Sequence, residues 1–325
     1  MRLYYQFLII LSSFCSLIVL ATACETEYIP EDVFDGPEIV VEGYIEHGDS
    51  ALPPYVILTW SSPYLASFSP EKLNELFIHN ATVTVSDGTN EITLTEVCLN
   101  TIAALDSALA QSVAQSIGLG GTDLSTLNYC IYVDVAAFFG NSAIRPQVGE
   151  SYYLTVIVGD DTARAVTMIP PLISYDSIFY VNHPDYPNND SLVEVRGILT
   201  DPAGTRDYYR LFTRRNQEPM YPLFGGSVTD DNIFAGRSFE FPIQRGQSIT
   251  GDFDLNTFGY FWRGDTITVR GANIDYAQFR FWQTLEYNTG SSGPFSSYVR
   301  IESNIVGGLG IWGGLSYQDY KFVVQ

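Results

Sequence analysis

The sequence predicts an all-β protein made of two antiparallel β-sandwich-like domains, the first of them immunoglobulin-like. Many short segments alternate polar and apolar residues with a period of two, and they are rich in β-branched and aromatic residues. Glycine-containing turns join several of these segments into hairpins, whose strands are antiparallel. The chain has no regular alternation of strands with helices, the pattern that is typical of a parallel sheet.

The first predicted domain spans residues 38–170. Its clearest signals are two hairpins with turns at Asp87-Gly88 and Gly159-Asp160, where glycine can adopt the positive φ that a tight turn requires. Residues 101–117 are alanine-rich with apolar side chains at helical spacing, so we expect a helical insertion at about residues 99–129. The predicted strands are residues 38–45, 55–60, 81–85, 92–94, 152–158 and 165–169.

Four cysteines occur in the chain, and two of them, Cys98 and Cys130, lie inside the first predicted domain. The other two are Cys15, in a predicted secretory signal, and Cys24, a predicted lipidation site, both described below. Two thiols then remain, and in an exported protein they predict one disulfide, which would staple the helical insertion to the sandwich. Closing a loop of this length stabilises a fold by about 3–4 kcal/mol in the chain-entropy model. The alternative interpretation is a pair of free buried thiols.

The second predicted domain spans residues 171–325 and begins after Pro170-Pro171, which interrupts the strand pattern. It should carry one amphipathic helix, because Asn273 is a suitable cap for the segment that follows. The apolar face of this helix would consist of Ile274, Ala277, Phe281 and Leu285. The predicted strands are residues 173–182, 192–199, 208–213, 239–243, 266–270 and 309–324.

Residues 1–23 have the order of a secretory signal: Arg2, an apolar run over residues 3–20, and the small residues 21–23. Cys24 follows directly, as bacterial lipoprotein processing requires, so we expect its thiol to carry a diacylglycerol group. The alternative is an ordinary signal peptide followed by a chance cysteine. Residues 24–37 are acidic and contain two prolines, which indicates an extended tether between the lipid and the folded part.

The charge balance excludes one broad class of function. The 325-residue chain has 37 acidic and 16 basic residues, for a formal net charge of −21. Such a surface repels phosphate backbones, so nucleic-acid binding is excluded. It also repels anionic lipid headgroups, so attachment to a membrane should depend on the lipid and not on a basic patch.

One segment invites comparison with hydrolases. Gly48-Asp49-Ser50 follows a strand, as the nucleophile of GDSL-type hydrolases does, but that chemistry needs a late Asp-x-x-His pair to activate the serine. None of His47, His79 and His183 has an aspartate three places before it, and none lies in the last third of the chain. We interpret the segment as a polar hairpin loop and predict no catalytic residue.

Three acidic clusters offer hard oxygens of the kind that calcium prefers. They are Asp230-Asp231-Asn232, residues 252–254 and residues 188–190. None has the full loop of alternating ligands closed by a bidentate glutamate. We therefore interpret them as solvated turns and predict no metal and no other cofactor.

A set of segments in a fixed order carries a family resemblance. They are residues 39–43, 81–85, 149–154, 201–204, 208–210, 228–231, 264–269 and 303–310. Through them the chain resembles the Bacteroidota lipoprotein family known as domain of unknown function 4249, over nearly the whole mature chain. The resemblance implies an outer-membrane setting, often beside TonB-dependent receptors, and it supplies no catalytic residue.

We therefore expect a lipid-anchored, non-catalytic accessory that binds a nutrient, such as an oligosaccharide or a peptide, or the barrel of a TonB-dependent receptor. The alternatives are a surface hydrolase that uses a carboxylate pair on a polymer, and a purely structural envelope lipoprotein. The predicted partner contact is the apolar loop of residues 220–224, with Tyr221, Leu223 and Phe224. The competing interpretation of this loop is that it folds back over the core.

Overall fold

The computed structural model describes residues 36–62, 74–105, 107–108, 110–111, 129–183, 191–248, 254, 257–290 and 299–325. The strands are β1 (Ile39–His47), β2 (Tyr55–Trp60), β3 (Thr82–Ser86), β4 (Glu91–Thr93), β5 (Thr95–Cys98), β6 (Cys130–Val133), β7 (Ser151–Val158), β8 (Asp161–Met168), β9 (Ser177–Asn182), β10 (Leu192–Thr200), β11 (Tyr208–Arg215), β12 (Tyr221–Pro222), β13 (Val228–Asp230), β14 (Ser238–Ile243), β15 (Phe261–Trp262), β16 (Thr266–Ile274) and β17 (Leu309–Val323). The helices are α1 (Leu99–Leu105), α2 (Val135–Phe138) and α3 (Tyr276–Gly290). The mostly β prediction is therefore confirmed.

A nine-stranded sheet, here the central sheet, runs through the protein in the order β12-β11-β16-β17-β1-β2-β6-β5, with β13 also paired to β11. Its neighbouring strands are antiparallel except for β1 and β17, which are parallel from Val40↔Leu309 to His47↔Ser316. Most of the chain lies between these two strands, and such a long connection permits parallel pairing.

Two four-stranded sheets accompany the central sheet. The N-terminal sheet has the order β4-β3-β7-β8, and the C-terminal sheet has the order β14-β10-β15 with β9 also paired to β10. The predicted boundary at Pro170-Pro171 separates the strands of these two sheets, whereas the central sheet takes strands from both sides of it. Pro37–Gln325 forms one compact unit.

Alternation along β17 assigns these layers to the two faces of the central sheet. Trp312 and Tyr320 share one face, where Trp312 joins the core of the N-terminal sheet and Tyr320 packs against the core of the C-terminal sheet. Leu315 and Tyr317 point to the other face and pack with Phe279 of α3. The arrangement is thus sandwich-like, with two small sheets on one face of the central sheet and a helix on the other.

The predicted disulfide between Cys98 and Cys130 is present. The two residues are directly opposite each other at the ends of β5 and β6. Helix α1 begins at the next residue, Leu99, which confirms a helical insertion stapled at its base. Residues 112–128 of the predicted insertion lie outside the described residues, as do the predicted signal sequence and Cys24.

The predicted helix in the second half is present, but its start was wrong. Asn273 and Ile274 belong to β16, and the helix begins at Tyr276. Asp275 provides the cap, because its Oδ1 accepts the main-chain N–H of Gln278 at 2.8 Å. Asn273 instead accepts the main-chain N–H of Ile173 at 2.8 Å, across the connection between the two halves.

Candidate partner-binding cleft

A cleft opens where one edge of the central sheet meets one edge of the C-terminal sheet. It contains a cavity of about 240 Å³ between β12 and β13 on one side and β14 on the other. Most of the side chains that line it are apolar or aromatic, among them Tyr175, Tyr209, Leu223, Phe234, Phe239 and Phe241. Among the described strands, β12 and β13 pair only with β11, and β14 pairs only with β10, so the cleft lies between two sheet edges.

The wall on the central-sheet side is an interrupted edge strand. Thr213↔Tyr221 pairs β11 with β12, and Arg210↔Val228 pairs β11 with β13. Between them the chain bulges outward through Gly225 and Gly226, whose φ angles of 81° and 147° suit glycine. Pro222 fits this edge because a proline has no N–H to contribute to a further neighbour.

A row of aromatic rings forms the opposite wall. The ring centroids of Phe234 and Phe239 are 5.7 Å apart, those of Phe239 and Phe241 are 5.9 Å apart, and those of Phe241 and Tyr175 are 5.8 Å apart. Tyr175, at one end of the row, is buried, whereas Phe239, within the row, keeps 44% of its surface exposed. The row therefore connects the core of the C-terminal sheet to solvent.

The three residues of the predicted partner contact have different surroundings. Leu223 lines the cavity and packs against the core of the C-terminal sheet. Phe224 is exposed and lies edge-on to Phe258, with 5.1 Å between the ring centroids. Tyr221 is half-buried within β12. The segment is thus partly strand instead of loop, and its role in partner contact stays a prediction.

Helix α3 holds the inner end of the cleft wall in place. The carboxylate of Glu286 accepts both the main-chain N–H of Ser227, at 2.9 Å, and the Ser227 hydroxyl. The same hydroxyl accepts Arg210 Nε at 3.1 Å, and the Arg210 guanidinium lies 3.5 Å from the centre of the Trp282 ring. Burial lowers the pKa of Arg210, and the nearby Tyr44, Glu286 and Glu42 oppose that shift.

Three aspartates meet beside the cleft. One carboxylate oxygen from each of Asp201, Asp207 and Asp231 lies within 4.8 Å of the other two. The hydroxyl of Tyr209, whose side chain lines the cavity, donates to Asp201 Oδ1. The main-chain N–H of Gly236 donates to Asp201 Oδ2 at 3.1 Å. We call this group the aspartate cluster.

The aspartate cluster corrects one sequence-based interpretation. Asp231 is not part of a solvated turn, because only 3% of its surface is exposed, and Asp201 is equally removed from solvent at 2%. Desolvation, together with the charges of Asp201 and Asp231, raises the pKa of Asp207, against a hydrogen bond from Thr205. Sequence reasoning missed Asp201 and Asp207 because they stand at the two ends of the β10–β11 connection, and the cluster forms only when this connection meets the residue that follows β13.

The family assignment follows from a comparison with known families. The sequence model of a family described as a domain of unknown function (DUF4249) matches residues 25–321. The chain belongs to the DUF4249 family. The matched range contains both the cleft and the aspartate cluster, and it ends within β17. No curated protein and no solved structure matches this DUF4249 chain.

The described part of this DUF4249 protein contains no helix that is long and apolar enough to cross a membrane. Its Ser50 has partners other than histidine. The Ser50 hydroxyl contacts Asp319 Oδ2 at 3.1 Å, the Tyr317 hydroxyl at 3.3 Å and Arg270 Nη2 at 3.1 Å. These contacts hold the β1–β2 loop against β16 and β17, so Ser50 has a structural role.

A second group of potential metal ligands lies around the disulfide. His79 Nδ1 is 2.6 Å from Glu96 Oε1, and both residues are close to Cys98 and Cys130. The disulfide consumes both thiols, and a metal would need them as thiolates. Glu96 also accepts the main-chain N–H of Asn80 at 2.8 Å, so this group holds β5 against the segment before β3.

Proposed function

We propose that this protein is a non-catalytic accessory of the outer membrane, anchored by a lipid on Cys24, and that it binds a partner through the cleft between the central and C-terminal sheets. The partner that best fits the sequence evidence is the barrel of a TonB-dependent transporter. A nutrient ligand such as an oligosaccharide or a peptide is the second candidate.

The observation that carries this proposal is the exposed aromatic row beside an apolar cavity. A cavity of about 240 Å³ is smaller than a typical small-molecule site of roughly 300–1,000 Å³. It suits one apolar anchor side chain from a partner, with Phe239 and Phe224 as surrounding contact surface. Aromatic residues at the centre of an interface carry much of its binding energy, so a small cleft can dominate recognition.

The anchor strengthens the argument for a membrane-bound partner. A lipid on Cys24 would confine the protein to the plane of the membrane, which raises its effective concentration near a barrel in the same leaflet. A modest interface then gives high occupancy. A protein partner is also consistent with the edge strands of the described sheets, because an exposed edge can accept an extended segment by strand addition.

The alternative function, a surface hydrolase that uses a carboxylate pair, has less support from the positions of the acidic residues. Glycosidases place two carboxyl groups about 5–5.5 Å or 6.5–9.5 Å apart on either side of an accessible bond. In the aspartate cluster, two of the three carboxylates are buried, and Asp201 already accepts hydrogen bonds from Tyr209 and Gly236. Of the three carboxylates, only Asp207 is partly exposed, so the cluster gives this alternative little support.

The test compares variants of matched exposure. Phe239→Ser and the double variant Tyr221→Ala plus Phe224→Ala change the cleft, whereas Val166→Ser changes an equally exposed apolar residue on the N-terminal sheet (51% against 44% for Phe239). Affinity purification from membranes in mild detergent should co-isolate a large outer-membrane barrel with the unchanged protein and with Val166→Ser. The cleft variants should recover about 5–30-fold less of it, the effect of losing 1–2 kcal/mol.

Thermal unfolding of each variant shows whether it is folded. Equal recovery of the barrel with folded cleft variants would contradict the cleft as the contact. Recovery of the unchanged protein alone, in detergent that preserves other barrel–lipoprotein pairs, would contradict the transporter as partner. Binding of immobilised oligosaccharide or peptide by the unchanged protein, lost in Phe239→Ser, would favour the nutrient-binding alternative.

A further inference from the structure

The two most exposed phenylalanines among the described residues are neighbours in the chain. Phe138 keeps 60% of its surface exposed, and Phe139 keeps 75%. They stand at the end of α2, within residues 136–140, a run that contains no polar side chain. We call this run the apolar tip. Exposed apolar groups that adjoin in this way are typical of a contact site for a protein or a membrane.

The main chain of the apolar tip bonds to itself. The main-chain N–H groups of Phe139 and Asn141 both donate to Ala136 O, at 3.1 Å and 3.0 Å. The main-chain N–H of Gly140 donates to Ala137 O at 3.0 Å, and its φ of 70° suits a glycine that ends a helix. A lipid environment penalises main-chain groups that lack a hydrogen bond, so this closed turn suits contact with acyl chains.

The charge around the apolar tip differs from that of the whole chain. Residues 135–149 contain no acidic residue, although the chain has 37, and Arg145 is their single charged residue. Asp134, which precedes them, is buried and accepts the main-chain N–H of Ala136 at 3.1 Å. Arg145 is exposed, and among the described residues no ion pair includes it. This segment therefore does not repel anionic headgroups, and Arg145 attracts their phosphates.

The chain before the fold is long enough for the apolar tip to reach the membrane that a lipid on Cys24 would enter. The pairs Tyr44↔Tyr55 and Tyr55↔Val133 place the end of β6 beside Tyr44 of β1. Helix α2 follows β6 and so begins about 20 Å from the start of β1, at the rise of an extended strand. Residues 25–36 can span about 40 Å when fully extended, so the anchor and the tip can meet one surface.

We propose that Phe138 and Phe139 insert into the anchoring membrane and thereby orient the folded part on it, an inference that rests on the membrane anchoring of the proposed function. Two rings are too few to hold the protein alone, because stable attachment needs a second signal. The tip therefore acts beside the anchor. A protein partner fits less well, because interfaces surround apolar anchors with polar groups that bond across, and the side chains of residues 136–140 offer none.

The experiment uses the full mature chain with an N-terminal hexahistidine tag, held by a nickel-chelating lipid on vesicles of phosphatidylethanolamine and phosphatidylglycerol. Phe139→Trp reports insertion through quenching by bromine atoms on the acyl chains, and the unchanged protein gives the background of the four native tryptophans. Val306→Trp is the control, because Val306 is also 75% exposed. We expect about twofold stronger quenching of Phe139→Trp, because only its indole enters the acyl region.

The affinity for the same vesicles provides a second measurement. Phe138→Ser plus Phe139→Ser should bind about tenfold more weakly than the unchanged protein, because two apolar side chains no longer leave water. Ile233→Ser plus Val306→Ser changes two apolar residues elsewhere, of 85% and 75% exposure, and should bind as the unchanged protein does. All four positions are exposed, so each variant should keep its midpoint of thermal unfolding.

Equal quenching of Phe139→Trp and Val306→Trp overturns the inference, and so does equal vesicle affinity of the unchanged protein and the folded Phe138→Ser plus Phe139→Ser variant. If that variant does not fold, the quenching of Phe139→Trp decides. Loss of a co-isolated barrel at unchanged vesicle affinity also overturns it and makes the tip a protein contact. The tag replaces the lipid on Cys24 and the vesicles contain no barrel, so a failure of the proposed function leaves these results unchanged.

Discussion

Asp265 shows how one carboxylate organises a turn. It stands between β15 and β16, with 5% of its surface exposed. Its carboxylate accepts Arg215 Nε at 2.7 Å, Asn216 Nδ2 at 2.8 Å and the main-chain N–H of Trp262 at 3.0 Å. Desolvation alone would raise the pKa of Asp265, but these hydrogen bonds and the charge of Arg215 outweigh it and lower the pKa.

A depressed pKa in the folded state predicts a pH-dependent contribution to stability. The Asp265 contribution should be complete above the ordinary aspartate pKa of about 3.9 and should be lost as the pH falls through the lower folded value. Asp265→Asn should therefore lower the urea midpoint at pH 7, and its difference from the unchanged protein should shrink below about pH 4. Asp160→Asn, in an exposed turn, should have little effect at either pH. A constant difference across this range would contradict the assignment.

For individual residues of the cleft and the aspartate cluster, the sequence predicts the residue type but not the surroundings. Phe224 and Leu223 could be identified as apolar and close to glycines, but their different orientations depend on β11, to which the segment pairs. The aspartate cluster combines two residues of the β10–β11 connection with one that follows β13, and an isolated acid in a turn has the same local pattern whether it is solvated or buried. Only the pairing of strands that are distant in sequence determines whether such an acid is solvated or buried.

At the level of elements, the disulfide is a cross-strand link at the base of an insertion. Cys98 and Cys130 are paired in register at a sequence separation of 32, so the bridge holds the ends of β5 and β6 together. In the part of the chain that the structure describes, β5 is the last strand of the central sheet and pairs with β6 alone. The bridge therefore compensates for an edge with few hydrogen bonds.

The double variant Cys98→Ser plus Cys130→Ser should reduce the free energy of unfolding by about 3 kcal/mol, because the unfolded chain regains the entropy of the open loop. Urea denaturation measures this quantity. Reduction of the unchanged protein with dithiothreitol provides the control and should give a similar loss. A loss below about 1 kcal/mol in both would mean that the insertion stays ordered without its link.

Most of the long elements follow from the periodicity of the sequence. The segments that alternate polar and apolar residues correspond to β1, β2, β3, β7, β8, β10 and β16. Such alternation is typical of strands with one buried face. The strands β12, β13 and β15 have only two or three residues, too few for a period. The start of α3 was misplaced by two residues because Asn273 and Asp275 both have cap-forming side chains, and the register of β16 decides between them.

The whole molecule is organised around one sheet that both halves of the chain build. Residues before and after Pro170-Pro171 contribute strands to it, and each half adds a smaller sheet on the same face. The cleft and the aspartate cluster lie where the central sheet meets the C-terminal sheet. Residue 36, where the described fold begins, is close in sequence to Cys24, so a lipid there would leave only a short tether.

Loss of the lipid should release the protein from the membrane. Cys24→Ala should move it from the membrane pellet to the soluble fraction, because a net charge of −21 provides no attraction to anionic headgroups. Fractionation after a salt wash, followed by immunoblotting, measures the distribution. Cys15→Ala, in the predicted signal sequence, is the control and should leave the protein in the pellet. A Cys24→Ala protein that stays in the washed pellet would contradict lipid anchoring.

The parallel pairing of β1 with β17 sets an order of events during biosynthesis. Val40 is among the first residues of the fold to be made, but its partner Leu309 is among the last. Until β17 emerges, β1 has one open edge and could recruit a strand from another nascent chain. Contacts so distant in sequence also make folding slow. This protein should therefore need a holding chaperone until its synthesis is complete, and fragments that end before β17 should aggregate.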